Sequence, residues 1–587
     1  MRRPLVRILA NGEQVYAGAD EELFRHAICQ LLMDLRMRRG RRSARVLGPL
    51  TERDLVLITY GDQVTEPGKA PLRSLAEFLG GSVADLSTFV HILPFYPSTS
   101  DDGFSVSDYT GVDPSLGDWD DIAALAKRFG LMFDLVLNHA SPKNIAFKRF
   151  KRDVPLWNEF FVTADPQADL SAVVRPRSSP LLTPVKTKRG IRHVWTTFSA
   201  DQVDVNYRSP LVLMFMVQLL YFLVNHGASI IRLDAIAYLW KEIGTSCINL
   251  PQTHAIVRIL RAFLDEKAPG VFLLTETNVP HQENVRYFGQ GDEAHLVYQF
   301  ALSPLVFHAF LRGDASYLQK WAASLETPPA KAAFFNFLAS HDGIGLRPVE
   351  GILPPSEIQA LVDATVARGG LLSLKANTDG SQSPQSPQSP YELNISYFDA
   401  LNDPSSGEPL QTQVQRFLTA QAILLSMAGL PAIYVHSLFG SRNWSQGVAE
   451  RGQNRAINRQ KFQRQELESE LAEDGSIRNQ VFNSLRRLIQ ARKGEPAFHP
   501  SGAQRVLASD PALFSLVRTS PDGASRVLCL HNVSAQPRTF RAGLASAGFR
   551  PGAPLTDLLT GEVHGLDGAA SVSVIVPAYG VCWLRQR

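Results

Sequence analysis

Cysteine is scarce in this sequence, whose 587 residues include four, Cys29, Cys247, Cys529 and Cys582. Their scattered spacing fits neither a disulfide framework nor a zinc site, which indicates reduced thiols in a reducing compartment. A large excess of charge is also lacking, since the net charge is +3, and this argues against nucleic acid as a partner. The composition predicts a cytoplasmic protein, and no cluster with metal-ligand spacing or cofactor motif is evident.

Long apolar runs are lacking too. The most apolar stretch, Leu211 to Val224, is shorter than a membrane span and contains a glutamine, so we predict a buried helix there and no membrane partner. The apolar run near the N-terminus is too short for a signal peptide. A basic segment, Arg36 to Arg45, is interpreted as a solvated helix end and linker, with a polyanion contact as the alternative.

Short apolar runs that end in polar residues recur through the middle of the chain, and helical patterns lie between most of them. Alternation of strand and helix predicts a parallel sheet, and eight units predict an α/β fold of the closed (β/α)8 barrel type. The eight runs are Leu55–Asp62, Phe89–Pro97, Leu131–His139, Ser229–Ala235, Val271–Asn278, His295–Phe300, Phe334–Asp342 and Pro431–Ser437.

Three further regions flank or interrupt this alternation of strand and helix. Residues 1–50 carry helical spacing behind acidic residues, which predicts a helical extension ahead of a catalytic barrel at 51–500. Residues 140–208 hold no clean barrel helix and are predicted to form an inserted domain after the third strand, over the barrel mouth. Residues 501–587 read as short alternating strands, which predicts a C-terminal β domain. The repeat in "DGSQSPQSPQSPYELN" predicts an exposed loop.

One apolar strand carries two charges near its end. In "SIIRLDA", Arg232 and Asp234 are two apart and therefore share a face of the strand. Burial of such a pair costs several kcal/mol unless something compensates for it. The pair is interpreted either as a structural ion pair or as a catalytic carboxylate that an arginine holds ionised at the carboxyl end of a barrel strand.

Two other acids, Glu276 and Asp342, also end predicted strands. A single acid in this position often caps the next helix. Three at one barrel mouth would shift the pKa of one another, so that one stays protonated as an acid while another stays ionised as a nucleophile. Glycosyl transfer with retention needs this division, with the two carboxyl groups about 5–5.5 Å apart.

The segments "DLVLNH", "IIRLDAIAY", "TETN" and "FLASHD", in this order, resemble the four sequence regions of the α-amylase superfamily, glycoside hydrolase family 13. The resemblance implies that Asp234 is the nucleophile, Glu276 the general acid/base and Asp342 the stabiliser of the transition state. It also implies a sugar subsite that includes Arg232, His139 and His341.

Further segments, "GTSC", "DDGFSVSDY", "RPR" and "SHDGIG", resemble the sucrose phosphorylase subfamily. Four more segments are more similar to the glucosylglycerate phosphorylases of that subfamily: "VLITYGDQV", "RPRSSPLLTP", "EAHLVYQF" and "SLFGSRN". The resemblance implies a glucose pocket lined by Asp101, Phe104, Gln202, Tyr238 and Arg459. It implies phosphate or acceptor contacts from Arg175, Arg177, Tyr391 and Glu392, where Glu392 replaces a glutamine of sucrose phosphorylases.

The function implied is a retaining disaccharide phosphorylase without a cofactor, which transfers glucose from 2-O-α-glucosylglycerate to inorganic phosphate. Sucrose, sucrose 6-phosphate and glucosylglycerol phosphorylases are alternatives, as are a hydrolase, a transglucosidase and an inactive amylase-like binding protein. Arg177, Lys375 and His193 are candidates to pair with the carboxylate of glycerate, while Arg177 alternatively pairs with a local acid. The oligomeric state is open, with a homodimer as one option.

Overall fold

Eight parallel strands close into a barrel in the computed structural model, which describes residues 3–37, 48–376 and 388–586. Each strand hydrogen-bonds to its two sequence neighbours, and the eighth closes onto the first. The predicted (β/α)8 barrel is thus confirmed. The strands are β1 (Val56–Thr59), β2 (Phe89–Ile92), β3 (Gly130–Val136), β4 (Ala228–Asp234), β5 (Phe272–Thr275), β6 (Leu296–Tyr298), β7 (Ala333–Asn336) and β8 (Leu430–Tyr434).

Helices cover the outside of the barrel. Several begin with a proline, whose fixed φ suits the first helical position. The predicted buried helix over Leu211 to Val224 is confirmed as Pro210–Asn225. Among the described residues, no helix is both long and apolar enough to cross a membrane. The longer helices are Pro71–Gly81, Trp119–Ala126, Pro210–Asn225, Pro251–Lys267, Leu302–Arg312, Ser316–Ala323, Pro355–Ala367, Leu410–Ser426, Arg464–Ala472 and Ile477–Lys493.

The barrel strands are buried on both faces, because side chains fill the interior and helices cover the exterior. In β4, Ile230, Ile231 and Leu233 are fully buried. Arg232 and Asp234 are buried as well, at 2% and 7% exposure. Charges at this depth need partners, and those partners lie at the carboxyl ends of neighbouring strands.

The segment between β3 and Pro210–Asn225 forms a small unit beside the carboxyl end of the barrel. It contains the helix Ile145–Lys151 and an antiparallel hairpin of Leu182–Thr187 with Gly190–Trp195. The fully buried Trp195 belongs to a small apolar cluster of this unit. Two short strands, His139–Ala140 and Val203–Asp204, pair and connect the unit to the barrel.

The C-terminal region is rich in antiparallel strands and has an apolar cluster of its own. Six strands form one sheet and two form another. In sheet order these are Ala503–Val506, Leu513–Thr519, Arg526–Asn532, Val581–Gln586, Leu555–Asp557 and Val563–His564, and then Arg538–Gly543 with Ser571–Val576.

Two N-terminal helices, Arg3–Val15 and Ala19–Met37, pack on the outside of the barrel. Arg258, on the helix Pro251–Lys267, donates to Asn11 Oδ1 at 2.7 Å and pairs with Glu293 at 2.8 Å. These polar contacts attach the first helix to the barrel. The basic segment Arg36 to Arg45 lies outside the described residues, apart from its first two positions.

Part of the Gln-Ser-Pro repeat differs from the prediction. Residues 377–387 lie outside the described residues, but the last repeat begins the strand Gln388–Asn394, so the predicted loop is wrong there. This strand pairs with Leu371–Ala376, and the register shifts beside Leu374, which is opposite Pro390. The irregularity accommodates a proline within the ladder. The strand places Tyr391 and Glu392 beside the barrel mouth.

Candidate active site

Three acidic side chains from three barrel strands face one pocket. Asp234 is the last residue of β4, Glu276 directly follows β5, and Asp342 lies in the loop after β7. All three line the same pocket at the carboxyl end of the barrel. Parallel strands bring their carboxyl ends to one rim, and this topology explains why acids far apart in sequence meet.

Arg232 connects these acids. Its Nη1 donates to Asp234 Oδ1 at 2.9 Å and also to Asp134, which lies opposite it on β3, while its Nη2 lies 4.0 Å from Glu276 Oε2. Asp134 in turn contacts His91 Nε2 at 2.7 Å. Asp134 is thus a buried partner of Arg232 on the neighbouring strand, while Asp234 and Glu276 face the pocket.

The backbone directly after β4 donates a hydrogen bond to an acid of the pocket. The N–H of Ala235 donates to Glu276 Oε2 at 2.8 Å. Ala235 has a φ of 51°, in the left-handed region that is costly for a residue with a Cβ. Such strain is common at functional sites, and here it accompanies the contact that positions the Glu276 carboxyl group.

The three carboxyl groups have different proton affinities. Burial raises the pKa of Asp234 and of Glu276, and Arg232 acts against this rise in both. Burial also acts to raise the pKa of Asp342, but Arg455 and His341 outweigh it and hold this pKa below its usual range. The pocket thus combines two carboxyl groups, Asp234 and Glu276, that retain a proton more strongly than usual with one, Asp342, that stays ionised. The prediction that Arg232 keeps Asp234 ionised is not met in the free pocket, because burial outweighs the arginine.

One side of the pocket, the His139 side, is formed by Asp101, Phe104, His139 and Gln202. Gln202 Nε2 lies 3.3 Å from Asp101 Oδ2 and 3.2 Å from His139 Nε2. Phe104 stacks on His341 with a centroid distance of 4.9 Å and an interplanar angle of 4°. An apolar ring beside several donors and acceptors is suited to a sugar, which has apolar faces and a rim of hydroxyls.

Another part of the pocket lining, the Tyr391 side, includes Arg177, Tyr238 and Tyr391. The Arg177 guanidinium lies 5.5 Å from the Tyr391 ring centroid. Within the described residues no carboxylate lies at ion-pair distance from Arg177, so the alternative pairing with a local acid is not observed. The insertion thus contributes a cation to the pocket.

Four residues suggested by the sequence lie away from the pocket lining. Arg175 donates to the Ser179 carbonyl oxygen, and Lys375 pairs with Glu350 at 3.1 Å. His193 lies in the hairpin strand Gly190–Trp195. Arg459 is buried behind the pocket, where its Nη1 contacts Asp102 at 2.6 Å and its Nε donates to the His341 carbonyl oxygen at 2.8 Å. Its contact with His341 supports the pocket wall.

Arg455 lines the pocket and was missed by sequence reasoning. Its Nη1 lies 2.6 Å from Asp342 Oδ1, and its Nη2 lies 3.0 Å from both oxygens of Glu392. Glu392 is 2% exposed and also accepts the N–H of Gly343 at 2.6 Å. Both Glu392 oxygens are therefore engaged by protein groups. The only available signal was the spacing of "NRAINR", which puts Arg455 one helical turn before Arg459.

Within residues 3–37, 48–376 and 388–586, no group of three or more His, Cys, Asp or Glu side chains is arranged to hold a metal ion.

Known proteins share this architecture. The alpha amylase catalytic domain matches residues 85–342. Glucosylglycerate phosphorylase of Spirochaeta thermophila is 48% identical over 543 residues, which cover 91% of this chain and 90% of that protein. Sucrose phosphorylase of Agrobacterium vitis is 32% identical over 468 residues, which cover 76% and 88%.

A solved structure has the same fold as this chain. The sucrose 6F-phosphate phosphorylase from Thermoanaerobacter thermosaccharolyticum matches with a TM-score of 0.71 at 23% identity, over 89% of this chain and 98% of that one. The fold, the sequence identity and the order of the four sequence segments all indicate the same family. The chain belongs to the alpha-amylase family, glycoside hydrolase family 13.

Proposed function

We propose that this chain is a retaining phosphorylase that transfers the glucosyl unit of 2-O-α-glucosylglycerate to inorganic phosphate. The products are α-glucose 1-phosphate and glycerate. The observation that carries this proposal is the convergence of Asp234, Glu276 and Asp342 on one pocket, in a chain 48% identical to a curated glucosylglycerate phosphorylase. Arg177, which has no carboxylate at ion-pair distance among the described residues, adds a cation to the pocket lining for an anionic acceptor.

In the first step, Asp234 attacks the anomeric carbon and forms a β-glucosyl ester. The glycosidic bond breaks, and Glu276 gives its proton to the departing oxygen of glycerate. The raised pKa of Glu276 keeps that proton available. Asp342, held ionised by Arg455, stabilises the positive charge that develops on the sugar ring.

In the second step, hydrogen phosphate occupies the side that glycerate has left. Its hydroxyl oxygen attacks the anomeric carbon, the ester bond to Asp234 breaks, and the phosphate proton passes to Glu276. Glu276 is then protonated for the next cycle. Two inversions at the same carbon give net retention of the α configuration.

A donor panel tests the substrate. We expect phosphate-dependent release of α-glucose 1-phosphate to be fastest from glucosylglycerate, compared with glucosylglycerol, sucrose and sucrose 6-phosphate at equal concentration. Preference for a sucrose-type donor would leave Asp234 and Glu276 in their roles but reject the acceptor. Release of free glucose at the same rate with and without phosphate would reject the phosphorylase.

The pH dependence should reflect the raised pKa of Glu276. Protonated Glu276 is required to expel glycerate, so kcat/KM for glucosylglycerate should fall as pH rises through this pKa, at a pH above the usual range of glutamate. α-Glucosyl fluoride is the control, because fluoride leaves without a proton. We expect its glucosylation step to lack this alkaline fall. An identical fall in rate at alkaline pH for both donors would contradict the role of Glu276.

A further inference from the structure

Two arginines approach the Tyr391 side of the pocket without a counter-charge. Arg177 comes from the insertion, and Arg347 begins the short turn Arg347–Val349 after β7. The Nη1 atom of each is buried and has no hydrogen-bond partner among the described residues. In that same part of the chain, neither guanidinium has a carboxylate at ion-pair distance. Both residues are half-buried, and a buried N–H donor of a charged group without a partner is costly unless an anion binds there.

The position of Arg347 is set by the strand that carries Tyr391. Ile344–Gly345 pairs with the strand Gln388–Asn394, and the N–H of Leu346 donates to the Tyr391 carbonyl oxygen at 3.1 Å. Gly345 lies so close to Asn278 that an added Cβ would be 2.7 Å from its Oδ1 atom. Since Asn278 follows Glu276 by two residues, the turn is packed against the segment that holds the acid/base.

Tyr238 lies near both arginines. Its ring lines the pocket, and its buried hydroxyl lies within reach of the Arg347 guanidinium. Burial raises the pKa of Tyr238 to about 12, and the positive charges of Arg347 and Arg177 both act against this rise. Both guanidinium groups are therefore close enough to the Tyr238 hydroxyl to act on the same oxygen, and on an anion bound beside it.

We propose that Arg347 and Arg177 together form an oxyanion subsite beside the Tyr238 hydroxyl. The carboxylate of the departing acid and inorganic phosphate occupy this subsite in turn, since both use the side of the sugar opposite Asp234. A guanidinium donates two parallel hydrogen bonds to either anion. This assignment rests on the proposed function and adds the residue that recognises the charge of the acceptor.

The other candidates for this role lie elsewhere. Lys375 is paired with Glu350, and His193 lies on the hairpin of the insertion. Arg455 lines the pocket, but Asp342 and Glu392 already neutralise it. Besides Arg177, Arg347 is thus the cation near the Tyr391 side that has no carboxylate partner among the described residues. This position and this missing counter-charge fit an anionic acceptor.

The test uses full-length protein with α-glucosyl fluoride as the donor and inorganic phosphate, glycerate or glycerol as the acceptor. Arg347→Gln should raise the KM for phosphate and for glycerate by ~10-fold or more, the size expected for loss of a charge-assisted hydrogen bond. The rate of transfer to neutral glycerol should stay within about twofold. Arg347→Lys keeps the charge without the fork and should give an intermediate shift.

Arg487→Gln is the matched control, because Arg487 is exposed on the helix Ile477–Lys493, and it should change none of these values. An equal loss with all three acceptors, or no shift for the two anions, would overturn the assignment. If Arg347→Gln fails to fold, the same ratio of anionic to neutral acceptors is judged on Arg347→Lys. If the wild type uses phosphate but not glycerate, the proposed donor fails, while a phosphate-specific shift in Arg347→Gln would still support the subsite.

Discussion

Asp234→Asn is expected to lower phosphate-dependent turnover by at least ~10⁴-fold, the scale seen when a covalent nucleophile is removed. The amide cannot form the glucosyl ester, and Arg232 keeps Asp134 and, at 4.0 Å, Glu276 as its acidic partners. The measurement is release of α-glucose 1-phosphate from glucosylglycerate at saturating phosphate. Turnover close to the wild-type value would contradict the assignment of the nucleophile.

A control separates chemistry from folding. Asp120→Asn changes an exposed carboxylate on the helix Trp119–Ala126 and should leave turnover within about twofold. Asp234→Asn itself should unfold at the same temperature as the wild type or higher, because burial already disfavours the charged form of this carboxyl group. A large fall in its Tm would mean that lost activity reports misfolding.

The second large effect concerns Arg455. Arg455→Gln should lower kcat by ~10²–10³-fold with both glucosylglycerate and α-glucosyl fluoride, because Asp342 loses the cation 2.6 Å away that keeps it ionised. Loss of kcat with both donors would place the effect on the sugar side of the reaction. A change confined to the KM for phosphate would instead indicate an acceptor contact and would contradict this role.

Glu392 should act through Arg455. Glu392→Gln removes the buried counter-charge and should lower kcat by ~10-fold or more, whereas the double variant should be no slower than Arg455→Gln alone, since the partner is already absent. Additive losses would reject this coupling. Arg464→Gln, which breaks ion pairs with Glu66 and Glu468 at a distance from the pocket, is the control and should leave kcat unchanged.

Much of the fold could be predicted because it depends on local patterns. Each of the eight apolar runs overlaps one barrel strand, and the stretch Leu211 to Val224 lies within one buried helix. The repeat of strand and helix then implies a parallel barrel. The tail of the Gln-Ser-Pro repeat was missed because pairing with Leu371–Ala376, a non-local contact, outweighs the loop preference of Gln388–Pro390.

The sequence by itself determined the barrel and brought Asp234, Glu276 and Asp342 to one rim, because carboxyl ends of parallel strands meet wherever the chain alternates strand and helix. Only the tertiary structure decided which charges neutralise one another. Arg455 is held between Asp342 and Glu392, while Arg347 meets no carboxylate among the described residues. Ion pairing depends on distances of a few ångströms between side chains on separate elements, and no periodicity along the chain encodes those distances.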